Sequence, residues 1–205
     1  RRSSDLATKG YLEKLIAQVF TGRERFEPGN PQEGYSPSPQ ERQSWLQISY
    51  MKEAYHTMGP KFTLGWMAEA LYSSKNFSEN YTATMMQAGE FAPTPHSKLM
   101  YNEAFRANQY VAAGIKPIYV LNDMFQFRTE FYGFTPIFPI KKNALNKAYY
   151  GKAFSRFEYM GEVSVICHLP FGAISAYVNH YSSPRREWNV GMTIGWQLFN
   201  YRFVE

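Results

Sequence analysis

The sequence predicts an all-β fold: an antiparallel up-and-down transmembrane β-barrel, with eight strands in residues 1–205. Three observations predict it. In the C-terminal run, Trp188, Val190, Met192, Ile194, Trp196 and Leu198 are apolar, while Asn189, Gly191, Thr193, Gly195 and Gln197 between them are polar or small. Such period-two alternation marks a strand whose two faces meet different solvents. On a helix Trp188 and Met192 would share a side with Val190 nearly opposite, leaving no stripe. The second observation is an aromatic content of 18%, with 16 Tyr and 16 Phe, which suits strand propensity and interfacial girdles. The third is the order of connections between alternating segments, which runs long, short, long, short, long, short, medium. Long loops at one end and tight turns at the other is how membrane barrels are strung.

Composition narrows the alternatives. Hydrophobic residues make up 44% of the chain and mean hydropathy is −0.45. No 18-residue apolar run exists, which excludes a helical membrane protein; a barrel escapes that test because alternation dilutes its lipid-facing residues. The single Cys167 excludes an internal disulfide framework. Net charge is +5, with Lys and Arg scattered in runs no longer than two, so no nucleic-acid partner is expected. The opening Arg1-Arg2-Ser3-Ser4 has neither Met nor a signal peptide, the expectation for a mature product or a piece of a longer chain.

The elements follow in order. Ala7-Thr8-Lys9-Gly10 is a turn signal. Tyr11 to Thr21 is taken as a strand running on toward Phe26, with a short helix as the alternative, because Leu15, Ala17 and Val19 share a parity with Glu13 while Leu12, Ile16 and Phe20 share the other. Gly22 to Arg42 holds four Pro and three Gly and reads as a long exposed loop. Trp45 to His56 sets Leu46, Ile48 and Tyr50 against Gln47, Ser49, Met51 and Glu53. After Gly59-Pro60, Phe62 to Tyr72 sets Phe62, Leu64, Trp66, Ala68 and Ala70 against Thr63, Gly65 and Glu69, completing a hairpin. Residues 73–106, with Pro93-Thr94-Pro95-His96, form the longest connection. It is too long for a structureless loop in a compact soluble domain and ordinary for an extracellular loop.

Tyr110 to Leu121 sets Val111, Ala113, Ile115, Tyr119 and Leu121 against Ala112, Gly114 and Lys116. Asn122-Asp123 is read as a two-residue turn, and Met124 to Phe134 sets Phe125, Phe127 and Phe131 against Gln126, Arg128, Glu130 and Tyr132. Thr135 to Ala153 is a second long loop. Phe157 to Leu169 sets Tyr159, Val163, Val165 and Cys167 against Glu158, Glu162, Ser164 and His168; after Pro170-Phe171-Gly172, Ile174, Ala176 and Val178 alternate with Ser175, Tyr177 and Asn179. Ser182 to Glu187 leads to the last strand. An even strand count places both termini at the turn end, which is the periplasmic side in the membrane reading.

Periodicity does not say which face points outward, and a soluble barrel around an apolar ligand alternates too. Charges of both signs on the polar face, including Glu53, Glu69, Lys116, Arg128, Glu130, Glu158 and Glu162, favour a polar lumen and lipid outside. Trp66, Phe125, Phe127, Tyr159, Trp188 and Trp196 are then lipid-facing or interfacial aromatics. Arg106, before the strand that follows the longest loop, is positioned to reach a lumen carboxylate such as Glu130 through a charge-assisted contact; a solvated loop Arg is the bland alternative. No HxH, HExxH or GxSxG spacing is present, and Ser164 and His168 lie about 13 Å apart along one strand. No catalytic residue, metal site or cofactor is expected in this chain.

Several of these segments resemble one family. Phe157 to Ser182, with its Leu169-Pro170-Phe171-Gly172 turn, is similar to the penultimate hairpin of BamA-like surface-antigen barrels. Ala7-Thr8-Lys9-Gly10, Phe105-Arg106-Ala107-Asn108-Gln109-Tyr110 and the segment Phe127 to Phe134 resemble the barrels that follow a patatin-like phospholipase domain in Bacteroidota outer-membrane proteins. Gly195-Trp196-Gln197-Leu198, continuing to Phe203, resembles the strand signal read by the barrel-assembly machinery.

The resemblance implies a 16-stranded barrel, of which this chain holds the eight C-terminal strands, and an upstream hydrolase. This chain lacks the hydrolase motifs and the usual Arg-Gly-aromatic loop motif. The expected role is anchoring a patatin-like phospholipase in the bacterial outer membrane. The alternatives are a BamA-type assembly or secretion pore, a free-standing eight-stranded barrel and a soluble ligand-binding barrel. Eight strands of sixteen leave two open edges, which lipid does not tolerate. The expected partners are therefore membrane lipids, the N-terminal half of the barrel or another outer-membrane protein at those edges, and the barrel-assembly machinery.

Overall fold

The fold comes from a computed structural model, which describes residues 9–24, 42–170, 172–183 and 188–196. Eight long strands form one antiparallel sheet in which sequence neighbours are spatial neighbours. They are β1 (Gly10–Arg23), β2 (Arg42–Thr57), β3 (Phe62–Ser73), β6 (Gln109–Val120), β7 (Phe125–Pro136), β10 (Glu158–Leu169), β11 (Gly172–Tyr181) and β12 (Trp188–Trp196). Between β3 and β6 lie the helix α1 (Tyr81–Gln87) and the short strands β4 (Gly89–Glu90) and β5 (Arg106–Ala107). Between β7 and β10 lies the hairpin β8 (Ile140–Lys142) and β9 (Ala148–Tyr150). Among the described residues no helix is long and apolar enough to cross a membrane.

The eight alternating segments are the eight strands, and Tyr11 to Thr21 is a strand rather than a helix, ending at Arg23. The Pro-rich loop over 25–41, the Phe171 and 184–187 connections, the Trp196 side chain, Leu198 and Phe203 lie outside the described residues. The turn before β7 is longer than two residues. The Asn122 side-chain oxygen accepts from the backbone N–H of Met124 at 3.0 Å and of Phe125 at 2.8 Å, so β7 starts at Phe125. Pro117 interrupts the β6–β7 ladder: pairing holds at Ile115↔Phe131 and Ile118↔Arg128 and lapses between them, because proline supplies no N–H.

The faces separate sharply, and the apolar parity is the open one. Phe131 is 53% exposed and Val163 52%, whereas Arg128 is 2%, Lys116 5% and Glu130 6% exposed. The same division holds on β3, where Phe62 and Tyr72 are exposed and Thr63, Met67 and Leu71 are buried. The sheet curls toward the polar face, since Arg128 on β7 donates to the Tyr55 hydroxyl on β2, three strands away, at 3.0 Å.

Three cross-strand pairs on this inner face join a tyrosine to a glycine: Tyr55↔Gly65, Tyr132↔Gly114 and Tyr177↔Gly191. Each ring lies against its glycine. A Cβ at Gly114 would fall 2.1 Å from Tyr132 Cδ1, at Gly191 2.3 Å from the Tyr177 hydroxyl oxygen, and at Gly65 2.6 Å from Tyr55 Cε1. The ring fills the space that glycine leaves, and the tight curl sets the ring's direction.

The long connection after β3 folds back onto this face. Phe91 packs on Tyr110, Tyr132 and Phe134 with ring centroids 5.9–6.1 Å apart, and Phe105 bridges Phe134 on β7 and Tyr181 on β11 at 5.7 and 6.0 Å. These residues, with Met67, Leu71 and Met160, are the principal apolar core. Asn80 caps α1 by accepting from the Ala83 N–H at 2.8 Å.

Gly114→Val forces Tyr132 off its bed and should lower stability by about 1–3 kcal/mol, as overpacking does. Gly59→Ala, at a position where a Cβ meets nothing within 4 Å, should change it by less than about 0.5 kcal/mol. Thermal melts of the two variants in detergent, followed by circular dichroism, give the comparison; equal midpoints would contradict the packing described.

Candidate functional site

The polar residues of the inner face line up across the sheet because the registers are consecutive. Tyr55 pairs with Gly65, Gly65 with Lys116, Glu130 with Glu162, Glu162 with Asn179, and Asn179 with Asn189. The β6–β7 register that pairs Ile115 with Phe131 sets Lys116 across from Glu130. One row in the hydrogen-bonding direction thus runs from β2 to β12.

The groups in and beside this row form a connected network. Lys116 Nζ donates to Glu53 Oε1 at 2.5 Å. The Tyr55 hydroxyl donates to the same Glu53 oxygen and accepts from Arg128. Arg128 Nε lies 2.9 Å from Glu130 Oε1, and the Tyr132 hydroxyl donates to Glu130 Oε2. Glu53-x-Tyr55 and Glu130-x-Tyr132 are therefore the same device used twice: period two puts both side chains on one face, and the phenol donates to the carboxylate beside it. Two cations face two carboxylates, all at least nine-tenths buried. A buried pair of this kind costs several kcal/mol to desolvate, which the charge-assisted bonds offset only while both partners remain.

Glu162 adds a third carboxylate, directly opposite Glu130. Asn179 Nδ2 lies 3.4 Å from it. Thr94 and Ser97 are buried and tie a tight turn, with Ser97 Oγ donating to the Thr94 carbonyl at 2.8 Å. Next to it, His96 Nδ1 is 2.9 Å from the Tyr181 hydroxyl. The segment Pro93-Thr94-Pro95-His96, part of the longest connection, folds back onto the inner face, where His96 meets Tyr181.

Arg106 does not reach Glu130. Its guanidinium donates to Glu90 Oε2 at 2.6 Å and to the carbonyls of Met86 and Ala88 at 3.1 and 3.2 Å. The physical reason is local: β4 and β5 pair Glu90 with Arg106, so the two side chains meet before either can reach a strand of the main sheet. Burial holds the Glu90 carboxyl above the usual carboxylate range, and the Arg106 charge opposes that shift. Glu130 takes Arg128, two residues away on its own strand. Glu158 stands at the loop end of β10, bonded by Arg156 Nε at 2.8 Å and by the Ser182 hydroxyl.

Five of the six aromatics predicted on the outer face lie there, and the Trp196 side chain is outside the described residues. Phe125, Phe127, Tyr159 and Trp188 are exposed and Trp66 is half-buried, its indole N–H 3.4 Å from His56 Nε2. At the loop end of that face Tyr159 stacks on His180, with centroids 5.8 Å apart, and Trp188 meets His180 edge-on at 4.7 Å. Gly195 lies exposed near the end of β12.

Sequence reasoning found the charges but missed their partners Tyr55, Tyr132 and Glu90, and missed the contact of His96 with Tyr181. The repeated Glu-x-Tyr spacing was the signal available for the first two. His168 bonds Gln126 at 3.2 Å, well away from Ser164 in the pairing, so the two make no nucleophile-base pair. No group of three metal-ligating side chains exists among the described residues. The arrangement holds fixed charge inside a curled sheet. No family model, no curated protein and no solved structure matches this chain.

Lys116→Met leaves Glu53 buried without its cation and should cost about 3–5 kcal/mol. The double variant Lys116→Met/Glu53→Gln should recover at least half of that. Urea titration of the three proteins in detergent checks this; a double variant no more stable than the single one would show that the pair is not the origin of the loss.

Proposed function

We propose that this chain is an outer-membrane β-barrel domain, the C-terminal strands of a larger barrel, and that its work is to anchor the protein in the bacterial outer membrane. One observation carries this reading: large apolar side chains stand exposed on the outward parity of every strand, while the charged row is buried on the inner one. Large apolar residues stand exposed on every strand of the main sheet from β1 to β12, including Val19, Ile48, Phe62, Ile115, Phe131, Val163, Val178 and Ile194. A water-soluble protein rarely exposes so continuous an apolar surface. Acyl chains accept such a face, and the charged row then lines or fills the interior. A soluble barrel around an apolar ligand needs the opposite arrangement, with the apolar parity turned in.

One feature supports the larger barrel. β1 and β12 stand at opposite ends of the strand order, so among the described residues each pairs on one side only. A spanning sheet in lipid cannot leave those backbone groups unpaired. The N-terminal half of a barrel, or a neighbouring outer-membrane protein, would supply the missing strands. The resemblance to barrels attached to patatin-like phospholipases makes a lipid acyl hydrolase the cargo we propose. Its catalytic groups would lie outside this chain, which has no GxSxG.

Val163, midway along β10 on the outer face, tests the anchoring role. Val163→Arg should cost about 2–4 kcal/mol if that face meets the middle of a bilayer, and should sharply reduce assembly into phosphatidylcholine vesicles. If the face meets water, the same change should leave folding untouched and improve solubility without detergent, which would defeat the proposal.

A further inference from the structure

We infer that the β8–β9 hairpin and the turn after it form a docking surface for the phosphate groups of anionic lipids, at the loop-end rim of the outer apolar face. The inference rests on the membrane reading above and deepens it.

Charge points there first. From Phe131 to Phe157 the chain carries Lys141, Lys142, Lys147, Lys152 and Arg156 and no Asp or Glu, so five positive charges stand without a carboxylate of their own. Arg156 is bonded to Glu158, and Lys147 lies 3.9 Å from Glu79 in an exposed, weak pair. Among the described residues Lys141, Lys142 and Lys152 have no carboxylate partner, and all three are exposed.

Position points there second. The chain leaving the hairpin leads into the apolar face. Phe157, 65% exposed, lays its ring 3.0 Å from where a Cβ of Gly133 would stand, beside the outward-facing Phe131 and Tyr159. Phe154, in the turn after the hairpin, is exposed as well. Aromatic rings at the edge of an apolar band with lysines just beyond are the arrangement in which rings sit at headgroup level and ammonium groups reach the phosphates.

Rigidity points there third. Asn143 Oδ1 accepts from the N–H of Leu145 at 2.9 Å and of Lys147 at 2.8 Å, closing the tip. Ile140 is buried against Met85 and Ala88, and Tyr81 N–H donates to the Asn146 carbonyl at 2.8 Å. The lysines are therefore presented on a fixed frame, and little backbone order has to be gained on binding.

The test uses the full chain in a non-ionic detergent with equal amounts of phosphatidylglycerol and phosphatidylcholine, and counts retained lipids by native mass spectrometry. The wild type should prefer phosphatidylglycerol on the order of 100-fold at low salt, about fivefold for each lysine, and the preference should fall as salt rises. Lys141→Gln/Lys142→Gln/Lys152→Gln should bring it to within about threefold of parity at the same low salt. A control, Lys9→Gln/Lys61→Gln at the turn end of the sheet, should keep it. Equal retention of the two lipids by the wild type, or an undiminished preference in the triple variant, overturns the inference. Solubility of the chain without detergent is scored separately, and that result would remove the membrane reading itself.

Discussion

Everything in this molecule depends on where the Glu53–Lys116 and Arg128–Glu130 charges are held. Four ionised groups and two phenols meet on one side of a curled sheet, nine-tenths or more removed from solvent. Alternation then leaves the other side no choice. Every residue between two inner positions points outward, and those residues are Phe, Val, Ile and Leu far more often than Lys or Glu. The exposed apolar surface and the buried charge are therefore one fact seen from two sides.

The connections belong to the same scheme. The tight turns close one end with little chain. The long ones at the other end fold down: Phe91 and Phe105 complete the apolar filling begun by the strands, and His96 adds a polar contact to Tyr181. Arg106 fixes the root of this segment through Glu90 and the carbonyls around α1. The inner face thus has two zones, an aromatic one under the folded connection and a charged one beyond it. Three Tyr–Gly pairs cross this face, and each ring depends on the absence of a single Cβ.

Much of this was legible in the sequence. Period two located all eight strands, and it divided Phe127 and Phe131 from Arg128 and Glu130 correctly because side-chain direction in a strand needs no knowledge of neighbours. The strand count and the alternation of long and short connections followed from the same reading. What the sequence did not yield was cross-strand or loop-borne. The Arg106–Glu90 contact depends on a two-residue ladder too short to leave a pattern, so the expectation of a contact with Glu130 failed. The descent of Pro93-Thr94-Pro95-His96 onto the sheet is written in packing against Tyr181, some 85 residues away in sequence, where no local signal reaches. Tyr132 over Gly114 requires the register, which alternation alone does not set.

The central claim is that the odd-numbered side chains of β7 meet acyl chains and the even-numbered ones the interior. Single spin labels at Phe127, Thr129, Phe131 and, on the other parity, Gln126 and Tyr132, placed in a Cys167→Ser background in lipid vesicles, measure it. Collision rates with oxygen and with a water-soluble nickel complex should alternate. Positions 127, 129 and 131 should favour oxygen, while 126 and 132 should be shielded from it. High nickel accessibility at 127, 129 and 131 would place that face in water and contradict the account.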